Sequence, residues 1–223
     1  MRMRVRAYSI MVDESAPRPH INMTVKIYPG GPPHSRGTSA FLGAVPVGEA
    51  VYVPQVRSMG WSATPAQIAT DARPVGMLAF GVGIAEMLEP AAMLLAEGAR
   101  EVRVVYASRD AGSILLQQEL RGLLAAHSGR VSVSHYLSRQ DEATAQCAAV
   151  DGERYHYRRI DGRAVKEEFG CWFGSGRQPL FLVVGTGAME RTAWRWLEQA
   201  SGGGRGAAPL LRGGAGWMPL VPG

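Results

Sequence analysis

The spacing of apolar and polar residues changes rhythm near Pro74. Before it, apolar and polar positions alternate over short runs: "RVRAYSIMV" at 4–12, "HINMTVKIY" at 20–28 and "GEAVYVPQV" at 48–56. Period-two alternation rich in β-branched residues predicts short antiparallel-type strands, joined by loops of Gly, Pro and Ser. Between the second and third runs, "GTSAFLGAVPVG" predicts one helical turn with Thr38 or Ser39 as its N-cap and Phe41 and Leu42 on its buried face. Residues 57–74 read as a connector.

After Pro74 strands and helices alternate. "VGMLAFG" predicts a buried strand, "IAEMLEPAAMLLAEG" a helix, "EVRVVYAS" a strand, "SILLQQELRGLLAAH" a helix and "RVSVSHYLS" a strand. Then come "GRAVKEEFG" as a helix, "PLFLVVG" as a buried strand and "AMERTAWRWLEQA" as a helix. Such alternation predicts a parallel sheet with crossover helices. The expected organisation is a partial antiparallel β domain over 1–72, a Rossmann-like α/β domain over 73–200 and a Gly-rich tail over 201–223.

Composition narrows the class. The chain has 223 residues, 46% hydrophobic and 19% charged, enough to bury a core in one large or two small domains. Lys and Arg exceed Asp and Glu by 24 to 19, yet the cations are scattered and no basic cluster is interleaved with aromatics. No nucleic-acid partner is signalled. Cys147 and Cys171 lack C-x-x-C spacing and nearby His partners, so they read as free thiols in a reducing, intracellular compartment rather than as a zinc site. No apolar run reaches the ~18–20 residues of a membrane helix. The start carries Arg2, Arg4 and Arg6 with no acid before Asp13, which suits either a mitochondrial-type targeting segment or an exposed strand.

Several motifs follow one another in a fixed order: "RAYSI" at 6–10, "VKIYPGG" at 25–31, "GTSAFLGAVPVGEAVYV" at 37–53, "VGMLAFGVGIAEML" at 75–88, "VVYASRDAGSILLQQEL" at 104–120 and "FLVVGTGAM" at 181–189. In this order they resemble the ferredoxin–NADP reductase superfamily, and within it the NADH–cytochrome b5 reductase branch. The resemblance runs from Arg6 to about Gln199. It implies a two-domain fold, with a partial FAD-type β-barrel followed by an NAD(P)-type α/β domain, and FAD as a cofactor.

The resemblance also implies roles. Arg6 and the Gly37–Thr38–Ser39 turn would hold a flavin pyrophosphate, which needs a cation and backbone N–H donors. Tyr8 and Ser9 would meet the isoalloxazine ring, with Lys26 and Tyr28 beside it. Gly81, Gly83 and Gly185 would let the backbone approach a nicotinamide nucleotide, and Ser138 with Arg139 would contact the 2′-phosphate of an NADP-type one.

This chain departs from the family pattern in several places. Val82 and Ala85 stand where the family carries Thr, Glu86 where it carries Pro, and Val184 where it carries the Cys that stands beside the nicotinamide during hydride transfer. Thr186 and Gly187 replace a Pro-Pro. These changes argue against NADH or NADPH as a working cofactor, and no residue is assigned as catalytic. No Ser-His-Asp motif, P-loop or metal spacing offers another chemistry.

Family members carry three further barrel strands before R-x-Y-S. The expectation is therefore a shortened chain, or protein partners that cover the open barrel edge and the C-terminal tail. Two functions stay open. One is a catalytically degraded accessory subunit of a larger, mitochondrial assembly that retains a flavin or nucleotide. The other is an active NAD(P)H-dependent FAD enzyme that passes electrons to a haem or iron–sulfur protein.

Overall fold

The computed structural model of the chain describes residues 11–13, 20–25, 27, 38–51, 60–144, 148–174, 178–202, 208–209 and 211–212. The chain divides into two compact units, Met1–Arg57 and Ser58–Gly223. In the first, β1 (Met11–Asp13) pairs antiparallel with β2 (His20–Asn22), Val12 opposite Ile21, and α1 (Thr38–Ala44) follows. The helical turn expected at 37–48 is α1, but Phe41 is 60% exposed rather than buried. Among the described residues, both hydrophobic core clusters draw on the second unit, and none of α1 belongs to them. Strand structure expected at 48–56 is absent from the described part: Gly48, at φ +94, closes a turn in which the Glu49 amide donates to the Pro46 carbonyl.

The second unit is built on a six-stranded sheet. Its elements are β3 (Gly60–Trp61), α2 (Pro65–Thr70), β4 (Val75–Phe80), α3 (Leu88–Ala96), β5 (Val102–Ser108), α4 (Gln117–Ala126), β6 (Val131–Leu137), β7 (Glu153–His156), α5 (Gly162–Phe169), β8 (Leu180–Val184), α6 (Gly187–Ala200), β9 (Ala208–Pro209) and β10 (Leu211–Arg212). The sheet order is β7-β6-β5-β4-β8-β9, every neighbouring pair parallel. The expected Rossmann-like α/β architecture is what forms.

Helices cover both faces, which is why the central strands are apolar at successive positions rather than at alternate ones. On one face Met77, Val104, Val133 and Leu182 meet α3 and α4 through Leu94, Leu95, Leu120 and Leu124. On the other, Leu78, Val105 and Phe181 meet α5 and α6 through Val165, Phe169, Ala193 and Leu197. Each fully buried side chain of this size contributes about 1.5–3 kcal/mol by leaving water.

Three expectations shift. Residues 58–72 belong to the second unit, not the first: α2 sends the fully buried Ile68 into its core. The stretch read as a connector holds this helix because Thr64 and Gln67 cap its start reciprocally, with Pro65 in the first turn. The Gly-rich tail also takes part in the fold of this unit, since β9 extends the sheet beside β8 and β10 pairs with β3. The four-residue strand β7 had no counterpart in the sequence reading.

Candidate functional site

Chain direction fixes where a ligand belongs. From β4 the chain steps outward to β5, β6 and β7, then returns to place β8 on the other side of β4. The order reverses between β4 and β8, and in open parallel sheets ligands bind outside the carboxyl ends of strands at such a reversal. Three predicted residues meet there.

Gly81 leaves β4 at φ +58, a conformation that strains any side chain, and opens a tight helical turn through Glu86. Gly83 lies against the end of β8, where a Cβ would stand 2.6 Å from the Val184 carbonyl oxygen. Gly185 completes the seam, since a Cβ on it would stand 3.0 Å from the Phe80 Cβ. Glycine at 83 and 185 lets the two strand ends close on each other, and glycine at 81 turns the backbone out of the sheet. This cradle suits the close backbone approach of a nucleotide.

The side chains around the cradle are a separate matter. Val184 is 8% exposed and Ala85 is 4% exposed, so both positions at which this chain departs from the expected Cys and Thr are buried. Glu190, in the first turn of α6, accepts a hydrogen bond of 3.1 Å from the Gly185 amide, while Thr186 caps the same helix by accepting from the Met189 amide at 3.4 Å. A carboxylate thus lies at the mouth of the reversal, held by an N–H group. Sequence reasoning missed it.

Ser138 and Arg139 lie at the carboxyl end of β6, two strand spacings or about 10 Å from β4. They are on the same edge as the glycines but not among them. The Ser138 amide donates to the Ser108 carbonyl at 3.1 Å and the Arg139 amide to the Arg109 carbonyl at 2.7 Å. The Gln140 side chain accepts from the Ala111 amide at 2.8 Å. Arg6, Tyr8, Ser9, Lys26, Tyr28 and Gly37 lie outside the described residues, as does the side chain of Thr38. Ser39 is half-buried in α1 of the first unit.

Away from this edge, β6 and β7 carry buried polar networks on both faces. His135 Nε2 and Glu153 Oε1 are 3.0 Å apart, Arg121 Nη2 donates to Glu153 Oε2 at 2.9 Å, and the Val150 amide also donates to that carboxylate. Burial lowers the His135 pKa below its ordinary value. Burial alone would raise the Glu153 carboxyl, but hydrogen bonds from Arg121 and the Val150 amide bring it below the usual carboxylate value. Burial and Glu153 push the Tyr155 hydroxyl up to about 12. These groups are enclosed by β6, β7 and α4 and fasten the edge strand. Among the described residues no group of three or more His, Cys, Asp or Glu side chains is placed to hold a metal, and Cys171 is an exposed free thiol.

Residues 77–194 match the family described as the oxidoreductase NAD-binding domain. The chain belongs to that family. This NAD-binding oxidoreductase domain takes in the glycine cradle, the Ser138–Arg139 loop and Glu190. A curated relative, the ferredoxin reductase component of 3-ketosteroid-9-alpha-monooxygenase from Mycolicibacterium smegmatis, is 39% identical over 61 residues, which are 27% of this chain and 17% of that protein.

Two solved structures share the fold. The cytochrome b5 reductase domain of Ulva prolifera nitrate reductase is 18% identical with a TM-score of 0.56, covering 91% of this chain and 83% of that one. A ferredoxin–NADP+ reductase variant from Plasmodium falciparum, in complex with 2′P-AMP, is 13% identical with a TM-score of 0.65, covering 92% and 76%. What these two structures share with the chain is the fold. Among the described residues no helix is long and apolar enough to cross a membrane.

Proposed function

We propose that this oxidoreductase-family chain binds a nicotinamide nucleotide along the carboxyl edge of its sheet but has lost the hydride-transfer step, and serves as an accessory subunit of a larger assembly. The observation that carries the reading is the seam between Gly83 and Val184. The backbone approach that a nucleotide needs is kept, with no room for a side chain at Gly83, while the thiol expected from the family is a buried valine. Glycines retained at such cost to side-chain packing support binding. An alkyl group at Val184 offers neither a hydrogen bond nor a polarisable sulfur to a reacting ring.

A bound FAD belongs to the same reading through Arg6, Tyr8, Ser9, Lys26 and Tyr28. When bound it would supply electron-carrying chemistry, which this chain would then hold for stability or for a partner.

A second reading is favoured by the complete set of Gly81, Gly83 and Gly185. It is an active NAD(P)H-dependent FAD oxidoreductase that delivers electrons to a haem or iron–sulfur protein. Absorbance of the purified protein in the flavin bands, followed by anaerobic addition of NADH and then NADPH, separates the two. Bound flavin that bleaches rapidly with either nucleotide overturns the accessory reading. Nucleotide binding without bleaching supports it.

A further inference from the structure

We propose that His135 is an acid-operated latch: its buried imidazole can take up a proton only when the edge strand β7 parts from β6, so mild acid opens this edge of the sheet while the central strands stay paired. None of the groups involved belongs to the glycine cradle, so the device works whether or not a nucleotide is bound.

The partners of the imidazole fix where its hydrogen sits. Glu153 Oε1 lies 3.0 Å from Nε2, and the carboxylate is held ionised by Arg121 Nη2, which donates to Oε2 at 2.9 Å, and by the Val150 amide at 3.2 Å. An ionised carboxylate only accepts, so Nε2 carries the hydrogen and Nδ1 keeps a lone pair. Nδ1 is buried and, among the described residues, has no hydrogen-bond partner. A proton arriving there would form a charged N–H that faces no acceptor, which costs far more than an unmet lone pair.

The groups around the ring do not relieve that cost. Those that face it are Glu153 and Tyr155 from β7, Arg121 from α4 and Tyr106 from β5. Glu153 favours the imidazolium, but Arg121 offsets that carboxylate and repels a second cation. The Tyr155 hydroxyl accepts from Gln117 Nε2 at 2.8 Å and the Tyr106 hydroxyl from the Leu115 amide at 3.0 Å.

Strand β7 is the element able to give way. It is the outermost strand, paired within the sheet to β6 alone, and only Glu153 of its four residues is buried. None of the four belongs to either hydrophobic core cluster, whereas Met77, Leu78, Val104 and Val105 place β4 and β5 in both. Polar contacts that a proton can undo therefore hold the edge, and apolar contacts indifferent to pH hold the centre. His156, whose side chain is 30% exposed, is reached by water with the strand in place.

The test is residue-resolved amide hydrogen exchange of the full chain at pH 7.5 and 5.5, corrected for the intrinsic pH dependence of exchange. The Val133 amide, which donates to the Gly152 carbonyl at 2.8 Å, and the β7 amides that pair with β6 should exchange about ten-fold or more faster than those of β4 and β5 at both pH values. Their protection should fall by about five- to ten-fold from pH 7.5 to 5.5, the gain open to an imidazole that titrates near pH 6.5 once released. His135→Gln keeps an N–H for Glu153 but takes up no proton, and should abolish the fall; His156→Gln should retain it. One common exchange rate for edge and central amides overturns the separate opening. A fall that persists in His135→Gln, or vanishes in His156→Gln, overturns the assignment to His135. The comparison of edge with centre needs no variant, so a poorly folding His135→Gln does not shield the proposal.

Discussion

His135 and Glu153 meet at 3.0 Å between β6 and β7 with neither side chain exposed to solvent. Tyr155, opposite His135 in the ladder, stacks on the imidazole with ring centres 4.8 Å apart. The next rung repeats the arrangement on the other face: Tyr136 and His156 stack at 4.4 Å, and the Tyr136 hydroxyl donates to Glu168 at 3.0 Å. A His–Tyr stack beside a buried carboxylate thus fastens each face of a four-residue edge strand.

Acid should loosen this fastening. Burial lowers the pKa of both His135 and His156, so the folded chain resists protonation that the unfolded chain accepts near pH 6.5. The folded state then binds fewer protons, and stability held above pH 6.5 is lost as pH falls below it. Glu153, also lowered, adds a loss in the same direction at more acid pH, below the ordinary carboxylate value. Urea unfolding midpoints at pH 7.5 and 5.5 should differ, the acid one being lower. His135→Gln should shrink that difference, and equal midpoints would show that the imidazoles are not linked to folding.

Removing the carboxylate should cost more than removing its exposed partner. Glu153→Ala leaves the Arg121 guanidinium, the Val150 amide and His135 without their shared acceptor, a loss of about 3 kcal/mol for a buried charged network. Arg121 is 34% exposed and water replaces it, so Arg121→Ala should cost about 1 kcal/mol. Denaturant titration of the two variants would expose the contrast, and equal losses would count against the carboxylate as the centre of the network.

The legible part of the molecule is the part whose reasons are local. Strands β4, β5 and β8 announce themselves because they are largely apolar on both faces, β6 because valine alternates with serine at its start, and Gly81 and Gly83 stand out because a tight turn after a buried strand needs them. Helix α2 was also written locally, in Thr64, Pro65 and Gln67, but a short helix among loop-forming residues has a weak apolar period. Strand β7 hides because "ERYH" buries Glu153 and packs Tyr155 and His156 through partners far away in sequence. Glu190 and Gln140 gain their meaning only once the sheet brings Gly185 to Glu190 and joins the loops after β5 and β6.

The two glycines of the cradle should respond differently to alanine. At Gly81 a methyl group meets nothing within 4 Å, so Gly81→Ala carries only the strain of φ +58, about 1 kcal/mol. At Gly83 the methyl group would press on the Val184 carbonyl oxygen at 2.6 Å, and backbone cannot swing aside as a side chain can. Gly83→Ala should therefore cost about 2–3 kcal/mol, as overpacking does. Thermal unfolding would rank the pair, and a Gly83→Ala protein as stable as Gly81→Ala would mean that the seam is looser than this geometry.

Glu190 offers the most direct probe of the reversal as a nucleotide site. Its carboxylate accepts from the Gly185 amide at the start of α6, where the helix favours a negative charge. A pyrophosphate arriving at the same edge would meet that charge and would compete for the same N–H group. Glu190→Gln keeps an acceptor oxygen for Gly185 but removes the charge, so nucleotide affinity should rise, by about three- to ten-fold for a like charge at a partly solvated mouth. The gain should shrink as salt is raised and should appear with NADH as well as NADPH, because it acts on the shared pyrophosphate rather than on the ribose phosphate. An unchanged affinity at low salt in a normally folded Glu190→Gln protein would move the bound phosphates away from the β4–β8 reversal.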